Sequence, residues 1–257
     1  MPFLCNNFKL LYSVEMGISV YIADVQPLLT PEVFERLLCR VPVYRQEKAK
    51  RFKFPSGRAQ SIAVGLLLKK ACEDFGIAGA DEHVVLGENE KPEFADVKDF
   101  HFNLSHSHER AMCVMAPYEV GCDVELIKGD HSQLAERFFM PAENAWIQAA
   151  GAPFNSDSHF DSDATAQSKA RDNAFYRLWT LKECYMKVTG RGLSLSPEKF
   201  SLEFNPDGGI LLYHEGPRPE FLFCELDLND GYRYAYCLKG ASADEPVNIV
   251  HVNLEQL

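Results

Sequence analysis

Apolar residues alternate with polar ones in several short runs of the chain and recur at three- and four-residue spacing in longer ones. Ile18-Ser19-Val20-Tyr21-Ile22 predicts a strand just after Met16-Gly17. Thr30-Pro31-Glu32 predicts a helix start, with Thr as N-cap, Pro at the first helical position and Glu at the positive end of the dipole. Val33, Phe34, Leu37, Leu38 and Val41 follow on one face. A second helix is predicted from about Arg58 to Phe75, ended by Gly76, with Ile62, Ala63, Leu66, Leu67 and Ala71 inward. Strands are predicted at 84–86, 99–105, 111–116 and 118–127, the last with Val120, Cys122, Val124 and Leu126 on one face. Helical stretches at 132–139 and 142–149 are interrupted by Pro141. Residues 151–172 are polar, small and aperiodic and predict a mobile loop. A long helix is predicted from Asn173 to Thr189, closed by Gly190, and strands at 200–204, 210–213, 221–226 and 232–238.

This order predicts an α+β protein of two halves meeting near residue 118. The expected division is an N-terminal extension (1–15), an N-terminal lobe (16–118), a C-terminal lobe (119–240) and a C-terminal tail (241–257). A chain starting at Met16 is expected to fold. Length agrees: 257 residues make one large domain or two small ones. No apolar run is long enough for a transmembrane helix, and MPFLCNNFKLLYSVE is a poor secretion signal. A net charge of −11 argues against a general nucleic-acid binder. The eight cysteines form no C-x-x-C pair, so they predict buried free thiols in a reducing cytoplasm rather than a zinc site.

Charge is not spread evenly. Residues 45–58 (RQEKAKRFKFPSGR) carry +5, leaving −16 for the rest, which suggests either an anionic ligand or a solvated helix end. In Gly121-Cys122-Asp123-Val124-Glu125 the two carboxylates share a strand face. That face is either simply solvated or a place for a hard cation such as Mg²⁺, which takes oxygen ligands. Trp179, Glu183 and Lys187 share a helix face; alone, Glu183 and Lys187 are an ordinary i,i+4 ion pair. Lys91-Pro92 and Ser105-His106 flank the strand of Phe100, Phe102 and Leu104, where ammonium, hydroxyl and imidazole groups could hold phosphates; His106 could equally be a surface turn residue.

As a set, the motifs resemble the 4'-phosphopantetheinyl transferases. The resemblance rests on Glu90-Lys91-Pro92, Phe102-Asn103-Leu104-Ser105-His106-Ser107, Gly121-Cys122-Asp123-Val124-Glu125, Trp179 through Lys187, and Gly190-Arg191-Gly192-Leu193-Ser194, in that order. Arg137-Phe138-Phe139 followed by Glu143 also looks like the link between the acidic and helical motifs. The match is to the monomeric, two-lobed type and runs from about residue 17 to 240.

The resemblance implies two similar α/β lobes related by a pseudo-two-fold axis. It implies transfer of the 4'-phosphopantetheine arm of coenzyme A to a serine of an apo acyl or peptidyl carrier protein, with Mg²⁺ present and 3',5'-ADP released. By similarity, Asp123, Glu125 and Glu183 would hold the metal, Glu183 would be the base and Lys187 would stabilise the pyrophosphate. Lys91, Ser105 and His106 would hold coenzyme A phosphates, with Lys48 and Arg45 near the 3'-phosphate. The alternative is a non-catalytic coenzyme A or carrier-protein binder of the same fold. Two departures stand out: Gln60-Ser61 replaces a position where the family often has Arg, and residues 151–172 are long where the carrier protein is expected to dock. Three adjacent carboxylates should also repel, so Asp123→Ala is expected to hold or raise stability without metal.

Overall fold

The computed structural model describes residues 17–129, 131–150, 164–205 and 208–257. The N-terminal extension and most of the predicted 151–172 loop lie outside the described residues. The strands are β1 (Ile18–Asp24), β2 (Val84–Leu86), β3 (Pro92–Phe94), β4 (His101–Ser107), β5 (Arg110–Ala116), β6 (Glu119–Leu126), β7 (Ser201–Phe204), β8 (Ile210–Tyr213), β9 (Phe221–Leu226), β10 (Tyr232–Lys239) and β11 (Val247–His251). The helices are α1 (Pro31–Leu38), α2 (Val43–Lys50), α3 (Pro55–Asp74), α4 (Ser132–Phe138), α5 (Pro141–Ala150) and α6 (Ala164–Val188). The protein is α+β.

Two sheets carry the architecture. One has the order β11-β1-β5-β4, the other β6-β10-β9. Strand alternation explains their stacking. In β1 and β5, Tyr21, Ala23, Cys113 and Met115 face α3 and a first core, while Ile18, Val20, Ile22, Met112 and Val114 face the second sheet. The second sheet answers with Val120, Cys122 and Val124 of β6 and Tyr232, Tyr234 and Tyr236 of β10. Its opposite face, with Ala235 and Cys237, packs under α6. The same alternation leaves Gly121, Asp123 and Glu125 on the α6 side of β6. The buried inner face thus fixes which way both carboxylates point.

Several sequence expectations need correction. The first predicted helix does not continue through Val41: α1 ends at Leu38, and Pro42, which has no amide proton to donate, caps a separate helix α2. The basic segment is therefore helical at its start. The long helix begins at Ala164, so residues 164–172 are helix rather than mobile loop. Ala, Gln, Lys and Arg favour that state, and the stretch shows no apolar period because its first turns bury little. Within the predicted tail, Val247–His251 pairs in parallel with β1, and Leu254 is buried in the first core. The C-terminus thus straps back onto the N-terminal sheet. Among the described residues, no helix is long and apolar enough to cross a membrane.

Candidate active site

The site forms where β6 slides under α6. Contact this close requires a glycine: a Cβ on Gly121 would stand 2.2 Å from Cys184 O and 2.4 Å from Val188 N. With that gap closed, Lys187 reaches back over the strand. Its Nζ lies 2.6 Å from Asp123 Oδ1, 3.0 Å from Cys122 O and 3.3 Å from Ser105 Oγ. Burial opposes its charge, yet the carboxylates of Asp123 and Glu183 hold its pKa above the usual lysine value.

Of the three predicted metal-ligating carboxylates, Glu183 feels the charges of the other two. Burial pushes Glu183 up to about 7; Lys187 works against that rise, and the charges of Asp123 and Glu125 add to it. Burial and Asp123 also raise Glu125, against a 2.8 Å hydrogen bond from Ser107 Oγ. Asp123 Oδ2 is buried with no hydrogen-bond partner. An orphaned carboxylate oxygen beside two further carboxylates suits a hard divalent cation in donor chemistry. Among the described residues, however, no three His, Cys, Asp or Glu side chains stand together at metal-ligand spacing. The cation gathered by Asp123 is Lys187.

The predicted phosphate-binding residues fall into three groups. His106 lies within charge reach of the acidic strand: desolvation and the cations of Lys187 and Lys48 hold its imidazole below the usual histidine value, against Asp123. Exposed Lys48, on α2, belongs to the same surroundings. Ser105 is buried and donates to Asp123 Oδ1 at 2.8 Å. Lys91 lies apart: its Nζ donates to Val188 O at 3.1 Å, beside a 390 Å³ cavity shared by Phe100, His101, Glu119 and Gly190. Arg45 is buried in α2 with its stem against Gly65, and its Nε has no partner. Gln60 donates to His108 O.

Comparison with known proteins agrees. The family model of the 4'-phosphopantetheinyl transferase superfamily matches residues 119–237, the stretch that contains Asp123, Glu125, Glu183 and Lys187. Over this stretch the chain is similar to that superfamily. Similarity to individual transferases extends well beyond that stretch. The chain is 27% identical to 4'-phosphopantetheinyl transferase Sfp of Bacillus subtilis (strain 168) over 231 residues, 89% of this chain and 95% of that protein. It is 27% identical to 4'-phosphopantetheinyl transferase gsp of Aneurinibacillus migulanus, over 86% of this chain and 85% of that protein. The transferase HetI of Nostoc is 30% identical over 57% of this chain and 58% of its own length.

Around the site stand residues that the motifs include without a role. Asn103 and Ser107 bond to β6 from the neighbouring strand. Their signal is the alternation of Asn103, Ser105 and Ser107 along one face of the strand. Lys182, beside Glu183 in sequence, is fully buried and paired with Glu143. A lysine inside an apolar helical stripe was the clue there.

Proposed function

We propose that this transferase moves the 4'-phosphopantetheine arm of coenzyme A onto a serine of an apo acyl or peptidyl carrier protein, with Mg²⁺ as its metal. The serine oxygen bonds to the β-phosphorus of coenzyme A, the bond from that phosphorus to the bridging oxygen breaks, and 3',5'-ADP leaves. The observation that carries this reading is the Asp123–Lys187 contact, with Asp123 and Glu125 close enough to add to the rise of Glu183.

Asp123 and Glu125, with Glu183, would hold the metal, which supplies charge neutralisation at the pyrophosphate. Glu183, directly or through a water, is the acceptor for the serine proton. Lys187 stabilises negative charge on the pyrophosphate. Lys48, Arg45, Lys91 and His106 offer cationic or donor groups to the remaining phosphates; Ser105 can join them only by releasing Asp123. Phosphoryl transfer depends chiefly on such positioning and charge stabilisation.

One chain supplies both the acidic and the basic groups, which supports a monomer as the working unit. All cysteines among the described residues are free, in keeping with a reducing cytoplasm. The test is direct. The chain is mixed with coenzyme A, Mg²⁺ and an apo acyl carrier protein, and the carrier is weighed by mass spectrometry. Gain of one phosphopantetheine supports the transferase; binding of coenzyme A with no mass gain supports the non-catalytic alternative.

A further inference from the structure

β4 ends the first sheet and β6 ends the second. Side chains of β4 close the seam between them. Asn103 Oδ1 accepts the Cys122 N–H at 2.8 Å, Ser105 Oγ the Val124 N–H at 3.2 Å and Ser107 Oγ the Leu126 N–H at 3.3 Å. Both strands advance two residues per contact, so the polar alternation of β4 satisfies the edge amides of β6 in turn.

The two serines also act on the site. A hydroxyl has one proton to donate and two lone pairs to accept with. Ser105 gives its proton to Asp123 Oδ1 and Ser107 gives its proton to Glu125 Oε2, each at 2.8 Å. The oxygen that closes the seam thereby fixes the carboxylate one residue earlier on β6. Asn103 closes the seam and has no bond to either carboxylate.

We propose that Ser107 is a positioning residue for the transferase site: it holds Glu125 in place to meet a divalent cation on the acidic strand. This rests on the proposed function only in assigning a divalent cation to Asp123 and Glu125. Losing a group that orients a metal ligand typically weakens metal binding by about 10- to 100-fold.

The experiment measures Mn²⁺ and Mg²⁺ affinity of the full chain by calorimetry, with Tm and carrier loading recorded in parallel. Ser107→Ala should weaken Mn²⁺ binding about tenfold, whereas Ser107→Thr, which keeps the hydroxyl, should stay close to the unmodified chain. Asn103→Ala should lower Tm at least as far as Ser107→Ala while keeping metal affinity. If Ser107→Ala does not fold, Ser107→Cys, with its weak donor, makes the same comparison. Unchanged metal affinity in the Ser107 variant overturns the proposal, and so does an equal loss in Asn103→Ala, which would make the seam merely structural. An unmodified chain that binds metal but does not load a carrier overturns the transferase reading alone, and the variant ratios still decide the role of Ser107. An unmodified chain that binds neither metal overturns both.

Discussion

Lys187 Nζ lies 2.6 Å from Asp123 Oδ1, while the other oxygen of that carboxylate is buried without a partner. The lysine therefore offsets the repulsion among the carboxylates that the sequence suggested only a metal could relieve. This reverses the expected effect of Asp123→Ala on stability. The substitution leaves a three-quarters-buried ammonium without its counter-ion, so the metal-free variant should melt below the unmodified chain. Carrier loading should be nearly abolished. Melting curves in chelator, alongside loading rates, check both parts; a Tm that holds or rises would restore repulsion as the dominant effect.

Gly121→Ala tests the close approach of β6 and α6. The added methyl would have to displace backbone, at Cys184 O and Val188 N, rather than a flexible side chain. Overpacking of this kind costs about 1–3 kcal/mol. A misplacement of about 1 Å between Lys187 and the acidic strand can lower kcat by about 100-fold. The expected signature is a kcat loss far larger than the loss of Tm would explain. Equal KM values for coenzyme A in both forms would show that the nucleotide end of the site has not moved.

Inward faces were legible in the sequence because alternation on β6 and β10 and helical spacing on α3 report burial directly. The acidic pair, the glycine before it and the Glu183–Lys187 spacing were legible for the same reason. Pairings between elements distant in sequence were not: nothing local shows that β11 returns to β1, or that Lys187 closes on Asp123 across 64 residues. Residues 164–172 misled because polar, small residues describe a solvated helical turn as well as a loop. The apolar spacing through Val41 does not show that α1 ends at Leu38 and that a separate helix starts after Pro42.

Glu183 should leave a mark on stability as pH changes. Its carboxyl is raised from 4.5 to about 7 in the folded metal-free protein. Between those values the folded chain holds a proton that the unfolded chain has lost, so stability falls as pH rises through the window. The contribution is full below about pH 4.5 and gone above about pH 7. Glu183→Gln removes this slope. Its Tm, measured in chelator relative to the unmodified chain, should therefore gain steadily from pH 5 to about pH 8. A pH-independent difference would place the carboxyl in an unperturbed setting.

Lys48 and Lys91 should separate in kinetics and stability. Lys48 is exposed on α2, within charge reach of His106, and forms no ion pair among the described residues. Lys48→Ala should raise the KM for coenzyme A with kcat nearly unchanged, the result of losing binding common to ground and transition states. Lys91 also donates to Val188 O, one residue beyond Lys187. Lys91→Ala should raise the same KM and also lower Tm, because a part-buried carbonyl loses its donor. A lower kcat with unchanged KM in Lys48→Ala would remove Lys48 from the nucleotide.

Lys182 anchors α6 to Glu143 and to the chain at Pro197 and Phe200. Its side chain is fully buried, with Nζ 2.9 Å from Glu143 Oε2, 2.9 Å from Pro197 O and 2.7 Å from Phe200 O. Burial lowers its pKa and Glu143 opposes that shift. Glu143 is committed in turn, accepting from Met140 N and Leu202 N. Lys182→Met fills similar space but leaves the carboxylate and two carbonyls without their cation. Removing one partner of a buried pair costs about 3–5 kcal/mol, whereas removing both charges together costs far less. Lys182→Met should therefore shift the denaturant midpoint strongly downward, and adding Glu143→Gln should recover part of the loss. The coupling between the two substitutions measures the pair. Lys182 has no bond to Asp123, Glu125 or Lys187, so at temperatures where the variant is folded its loading rate should stay near that of the unmodified chain. A folded variant that has lost activity would instead make the buried pair part of how α6 aims Glu183 at the acidic strand.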